Sequence, residues 1–326
     1  MKSNGFGRGL GVVLSVVLAI ASMGCNEDES EKKTGGSAAP ERGFQITTPD
    51  IVITPYQEIA YCYYFRTPNL ETLAIKRWRP KMPAELKQLS LVTFPTELEP
   101  PGRVSAVNCP LINVNNGSEL PTVLYLANHE NDEMTFPSND GTGKAVAQSL
   151  PANTPVIMRM HFLNTASTPV TLRAVLDAFA YEAGVAFTPA STYITYGGGI
   201  NIAPLSAATF SKTCTVPAGL TFFRTSMYTH KQGVHTYLKD GTSGSVVYEN
   251  TDWENPIVKN WSAPSFHTFP NGSLTYQCDY VNPTNRTIRS GISTATDENC
   301  VSINYFFPAT ATDGHSPLCY DSGFFP

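Results

Sequence analysis

The sequence predicts an all-β chain built from β-sandwiches, and three observations predict it. Val156–Phe162 alternates, with Val156, Met158, Met160 and Phe162 on one face and Ile157, Arg159 and His161 on the other; Leu274–Tyr280 alternates in the same way. A period of two is the mark of a half-buried strand. Between such runs lie the turn pairs Pro101-Gly102, Asn116-Gly117, Asp140-Gly141, Asp240-Gly241, Asn271-Gly272 and Asp313-Gly314. No segment sustains an apolar 3.6-residue period with caps for three turns. Short strands parted by regular turns point to sandwiches.

Composition narrows the class. The 326 residues carry 22 Lys+Arg against 27 Asp+Glu, so no basic stripe exists to displace counterions from a nucleic acid. Only 15% of residues are charged while 11% are aromatic, which excludes a disordered chain and a long-helix protein. The length suits one large domain or two ordinary ones.

Residues 1–24 read as a signal peptide. Lys2 and Arg8 precede the apolar run Leu10–Ile20, and the small-residue stretch Ala21-Ser22-Met23-Gly24 leads to Cys25. The run is too short to span a bilayer comfortably. Small residues before a cysteine resemble a bacterial lipobox, in which Cys25 is acylated, although Ser22 and Met23 depart from its usual pattern; the other reading is an ordinary cleaved signal with Cys25 as a stray. Acidic, apolar-free sequence follows through Ser37, so residues 25–43 read as a flexible tether. Asn26 after the cysteine points to the outer membrane. The expected address is the cell envelope, with the membrane as partner through a lipid anchor.

The Gly-, Ser- and Ala-rich stretch Ser191–Ala208, with Gly197-Gly198-Gly199, is a candidate join. It divides the rest into sandwiches over 44–190 and 191–326, each of ordinary domain size. Setting Cys25 aside leaves Cys62, Cys109, Cys214, Cys278, Cys300 and Cys319. An even number in an exported chain implies disulfides, with fifteen pairings open. No CxxC is present, against a zinc ribbon or thioredoxin-type site.

The chemistry-bearing residues are sparse. No HExxH, GxSxG or P-loop is present. His161 shares a face with Arg159 and so looks to solvent or to a cleft between domains. His230 and His235 are five apart and would point to opposite faces of one strand. His129–Glu133 is polar enough to capture a hard cation, and a solvated acidic loop explains it equally well. Trp253 and Trp261 are candidates for a binding surface, with core packing as the other reading.

Several segments together resemble the copper type II ascorbate-dependent monooxygenases, the family of peptidylglycine α-hydroxylating and dopamine β-monooxygenases. Ala60-Tyr61-Cys62 followed by Pro68 resembles its first strand. Phe136-Pro137, Gly141-Thr142-Gly143 and Met158-Arg159-Met160-His161-Phe162 resemble its glycine-rich turn and histidine strand. Met227-Tyr228-Thr229-His230 through Gly233 resembles its His-x-His segment. Cys278, Gly291, Asp297-Glu298-Asn299-Cys300 and Tyr305–Pro308 resemble its closing stretch. The likeness runs from about Ile59 to Pro308. It implies two facing jelly-roll-like sandwiches and the pairs Cys62–Cys109, Cys214–Cys319 and Cys278–Cys300.

The same resemblance implies one copper per domain, each with three side-chain ligands, and here the ligands are mostly missing. Lys87–Leu91, where a His-His pair is expected, holds no histidine, which leaves His161 alone. The second set reads Tyr228, His230 and Asn299. Copper needs several imidazole or soft sulfur donors together. The expectation is therefore an exported lipoprotein of this fold acting as a non-catalytic binding or structural module, without a cofactor. A protein, peptide or glycan would be its partner. The alternative is a copper- and ascorbate-dependent monooxygenase hydroxylating an activated C–H bond, with His161 and His230 as the surviving metal positions.

Overall fold

A computed structural model describes residues 39–106, 109, 121–291, 293–309 and 316–321. The signal peptide, Cys25, His315 and the Asn116-Gly117 and Asp313-Gly314 turns lie outside the described residues. Every regular element among those described is a strand. The first seven are β1 (Gly43–Thr47), β2 (Ile51–Ile53), β3 (Glu58–Arg66), β4 (Leu73–Lys81), β5 (Leu86–Thr93), β6 (Val104–Ser105) and β7 (Thr122–Ala127). There follow β8 (Met134–Thr135), β9 (Ala145–Leu150), β10 (Pro155–Leu163), β11 (Val170–Leu172), β12 (Val175–Ala180) and β13 (Phe187–Pro189). Beyond Ala190 come β14 (Ser191–Gly197), β15 (Asn201–Ile202), β16 (Ser206–Thr215), β17 (Thr221–Tyr228), β18 (Gly233–Asp240) and β19 (Val246–Asn250). The last five are β20 (Val258–Asn260), β21 (Ser273–Asn282), β22 (Ile288–Arg289), β23 (Cys300–Phe307) and β24 (Leu318–Tyr320).

No described sheet mixes strands from the two sides of Ala190. Before it, one sheet runs β1-β12-β4-β9-β13, with β8 on β4, and faces a second in the order β6-β3-β10-β5-β7. After it, β20-β17-β23-β14-β24 faces β16-β21-β18-β19. The fold is thus all-β, two jelly-roll-like sandwiches in tandem. The stretch read as a join is largely strand: β14 sits inside its sheet between β23 and β24. At the other end β1 opens at Gly43, the last residue of the segment read as a tether. Gly43 has φ +126°, and a Cβ there would fall 1.8 Å from the Ala178 carbonyl oxygen, so only glycine lets β1 close on β12.

Trp78 holds the first core. It is fully buried, stacks on Tyr125 with centroids 6.1 Å apart, and its indole N–H donates to Gln148 Oε1 at 3.0 Å. In the second core Phe222 packs edge-on to Phe269 and tilted against Phe306. The β17-β23-β14 sheet is covered on both faces. Cys300 and Phe306 face the second core, while Val301, Ile303, Tyr305 and Phe307 join the core of the first sandwich. Phe136 meets Phe223 across this junction at 5.5 Å, and Thr192 Oγ1 donates to the Val123 carbonyl.

Strand β10 departs from the half-buried expectation for the same reason. Met158, Met160 and Phe162 are buried in the first core, and Ile157, Arg159 and His161 on the opposite face are buried as well. The half-buried pattern does hold for β21, where every second residue from Leu274 to Tyr280 is buried.

Three disulfides are formed, Cys62–Cys109, Cys214–Cys319 and Cys278–Cys300, the pairs named above. Cys278 on β21 and Cys300 on β23 bolt the two sheets of the second sandwich together across a sequence separation of 22 residues. Replacing both by serine is expected to lower stability by about 2–3 kcal/mol, since the unfolded chain regains that loop's freedom. Urea unfolding of the variant beside the parent measures it; an unchanged midpoint would rule the staple out as a source of stability.

Candidate functional site

A cleft of about 870 Å³ opens where the two sandwiches meet, lined by residues from both sides of Ala190. Gln88 on β5 and His161 on β10 are register partners and form its floor with Asn128. Tyr228 at the end of β17 and Thr294 close it from the second sandwich, and Trp253 stands half-buried at its edge.

The floor is a chain of fixed polar groups. His161 Nε2 lies 3.0 Å from Glu58 Oε1, and the same oxygen accepts the Thr294 backbone N–H at 3.0 Å and the Thr294 hydroxyl. Burial alone would raise the Glu58 pKa. The hydrogen bonds from His161 and Thr294 outweigh it and hold the carboxyl down at about 2. Glu58 is therefore ionised at neutral pH, and His161 Nε2 carries the proton it donates. Gln88 Nε2 donates to Asn128 Oδ1 at 3.1 Å, and Arg159 Nη1 donates to Gln88 Oε1 at 3.2 Å. Desolvation pushes the Tyr228 phenol well above its ordinary value, with Arg159 pulling the other way.

His230 lies beyond Tyr228, its ring edge-on to the phenol at 5.3 Å. Its Nδ1–H donates to the Asp297 carbonyl at 3.0 Å, which fixes the tautomer, and its Nε2 accepts from Asn299 Nδ2 at 2.9 Å. Burial lowers its pKa to about 4, so it is neutral at pH 7. Its backbone N–H donates to Glu298 Oε2 at 2.9 Å, and Gln232 N–H donates to Glu298 Oε1 at 2.6 Å. Glu298 is fully buried, and desolvation raises it to about 7 against those bonds.

The remaining candidates are spoken for. His235 Nδ1 pairs with the Tyr237 hydroxyl at 2.7 Å, and Trp261 stacks on His267 beside the second core. In the His129–Glu133 loop, Asp132 pairs with Arg224 at 2.5 Å and Glu133 with Arg77 at 3.5 Å. Two of its three carboxylates are thus turned to arginines, Glu130 stands exposed, and no metal-holding group forms there among the described residues. Trp253 is the tryptophan that reaches the cleft.

No family model and no curated protein matches the chain. Among solved structures it is similar to the major capsid protein P2 of bacteriophage PM2, at 9% identity and a TM-score of 0.34 over 81% of this chain and 99% of that one. The STIV MCP matches at 7% identity and a TM-score of 0.30, over 79% and 96%. The PBCV-1 virus capsid model matches at 8% and 0.25, over 84% and 96%. At such scores these neighbours carry no argument about what the chain does.

The family assignment is nonetheless corrected, by the absence of any matching family model and by the geometry of the site. No family model supports a copper type II monooxygenase, and the solved structures just named are capsid proteins. The assignment of function falls with it, both as a copper-monooxygenase-like lipoprotein module and as the C–H hydroxylase. The site supplies the physical reason. His161 gives Nε2 to Glu58, and both ring nitrogens of His230 are engaged by Asp297 and Asn299. Among the described residues no group of three His, Cys, Asp or Glu side chains could hold a metal ion. Motif spacing matched a family whose donor geometry these residues do not build.

Sequence reasoning missed two members of the floor, Gln88 and Asn128, and the two charged groups behind it, Arg159 and Glu58. Gln88 lay in a segment scanned for histidine, and Arg159 was noted only as His161's neighbour. Glu58 and Asn128 gave no sequence signal, because partners brought together over 103 and 40 residues have no local pattern.

Proposed function

We propose that the protein is a binding protein that holds a small polar organic molecule in the cleft between its sandwiches. The observation that carries this reading is the cleft itself. Its volume of about 870 Å³ falls in the range of small-molecule sites, its floor presents amide and imidazole groups held by hydrogen bonds, and the Tyr228 phenol faces it from the second sandwich. Such a floor orients a ligand at little entropic cost. Trp253 at the edge offers an aromatic face for its apolar part. The reading requires no metal or cofactor. We take the address to be the cell envelope, with Cys25 as lipid anchor to the outer membrane. The leader run Leu10–Ile20 and the three disulfides support that address.

Intrinsic fluorescence tests the reading, because Trp78 is fully buried in the first core and Trp253 lines the cleft. A panel of sugars, amino acids and organic acids is expected to contain compounds that saturably change the emission. Trp253→Phe should lose that change, and so should Leu163→Trp, which fills the cleft from its wall. A panel without one saturable response, or a response that survives filling the cleft, would overturn it.

A further inference from the structure

Among the described residues Arg159 is a buried positive charge without an acid. It leaves β10 on the face of His161, is 7% exposed, and gives one hydrogen bond, to Gln88. Its Nε–H is buried and meets no acceptor. The nearby acids are committed elsewhere: Glu58 to His161 and Thr294, Glu298 to backbone N–H groups. The titratable groups that bear on Arg159 are the phenols of Tyr228 and Tyr196, and burial keeps both neutral. Arg224, the comparable buried arginine, has Asp132 at 2.5 Å. A guanidinium stays charged in a protein, and a buried one is ordinarily paired.

We infer that the ligand of this cleft carries a carboxylate, received by the Arg159 guanidinium beside Gln88. The inference rests on the binding role proposed above and names its ligand class. Arg159 does not itself line the cleft; Gln88 does, and it touches the guanidinium, so a carboxylate reaches Arg159 by displacing the Gln88 amide. The Gln88 amide oxygen occupies one donor of a fork shaped for two carboxylate oxygens. A bound carboxylate supplies the countercharge the fold omits. Glu130 and Glu254, exposed at the rim, act through water and salt and oppose this weakly.

Isosteric probes separate charge from shape. Acetate and benzoate are compared with acetamide and benzamide in thermal unfolding, with ionic strength held by sodium chloride. The acids are expected to raise the wild-type melting temperature by about 2–4 °C at saturation and the amides to leave it unchanged. Gln88→Glu places a carboxylate against Arg159 from within the fold. It should raise the melting temperature without ligand and abolish the difference between acid and amide. Arg159→Met should abolish that difference as well. Equal responses to acid and amide in the wild type, or a difference that persists in Gln88→Glu, would overturn the inference. If neutral compounds move Trp253 emission and the acids do not, the cleft remains a binding site and the carboxylate assignment alone fails. If carboxylate stabilisation is lost in Gln88→Glu while filling the cleft changes nothing, Arg159 binds the anion and the cleft reading alone fails.

Discussion

Replacing Arg224 by methionine is expected to cost about 3–5 kcal/mol, read as a lower urea midpoint at unchanged slope. Arg224 leaves β17 and crosses to the first sandwich, where Nη2 donates to Asp132 Oδ1 at 2.5 Å. The two side chains are 8% and 9% exposed. Nη1 also reaches Asn260 Oδ1 at 3.3 Å. Removing the arginine leaves a buried carboxylate unanswered, and that desolvated charge is the source of the cost. The pair itself is worth much less than either single loss. Arg224→Met combined with Asp132→Leu should therefore recover a large part of the stability. A single variant within about 1 kcal/mol of the parent would show the pair to be solvated, contrary to its burial.

The second large effect is a pH dependence hidden by cancellation. His230 is held at about 4 by burial, below its ordinary 6.5, so the unfolded chain binds the extra proton in that window and stability rises as pH goes from 4 to 6.5. Glu298 is raised by burial to about 7 from 4.5, so there the folded chain binds the extra proton and stability falls between 4.5 and 7. Each slope integrates to about 3 kcal/mol, and over the shared window they oppose each other. The wild type should be nearly flat from pH 4.5 to 6.5 in this part of its titration. Glu298→Gln removes the falling slope and should gain about 3 kcal/mol as pH rises from 4 to 6.5. It starts from a lower base, because both Glu298 oxygens accept backbone N–H groups and an amide turns NH₂ against one of them, at about 1–3 kcal/mol. His230→Gln should show the reverse, a loss between pH 4.5 and 7. Urea unfolding at half-unit pH steps measures both, and parallel profiles for the two variants would refute the assignment.

The parts of this fold legible in the sequence were those written locally. The alternation of β21, the turns at Gly102, Gly141 and Gly272 with positive φ, and the absence of helical periodicity all follow from neighbours along the chain. The double burial of β10 and β23 was not legible. A strand covered on both faces reads as half-buried whenever one covering layer comes from the far half of the chain, and polar residues such as Arg159, Ser302 and Asn304 then look like a solvent face. The site failed for a related reason. His161 and His230 stand out in a scan for donors, but their roles are set by Glu58, Asp297 and Asn299, whose proximity depends on how the strands pair. Carrying a family's ligand positions onto this chain kept the spacing and lost the geometry.

The position of β14 has a consequence for how such a chain is made and moved. Its partners are Ile303 on one side and Leu318 on the other, each more than a hundred residues downstream of Ile194. Closing so long a segment must precede any reward from pairing, so assembly of this sheet is slow and waits for late-synthesised polypeptide. Were the chain exported as proposed, its second sandwich would stay threadable until those last strands are made. The same delay leaves the edges of β14 uncovered, and a holding chaperone would protect them.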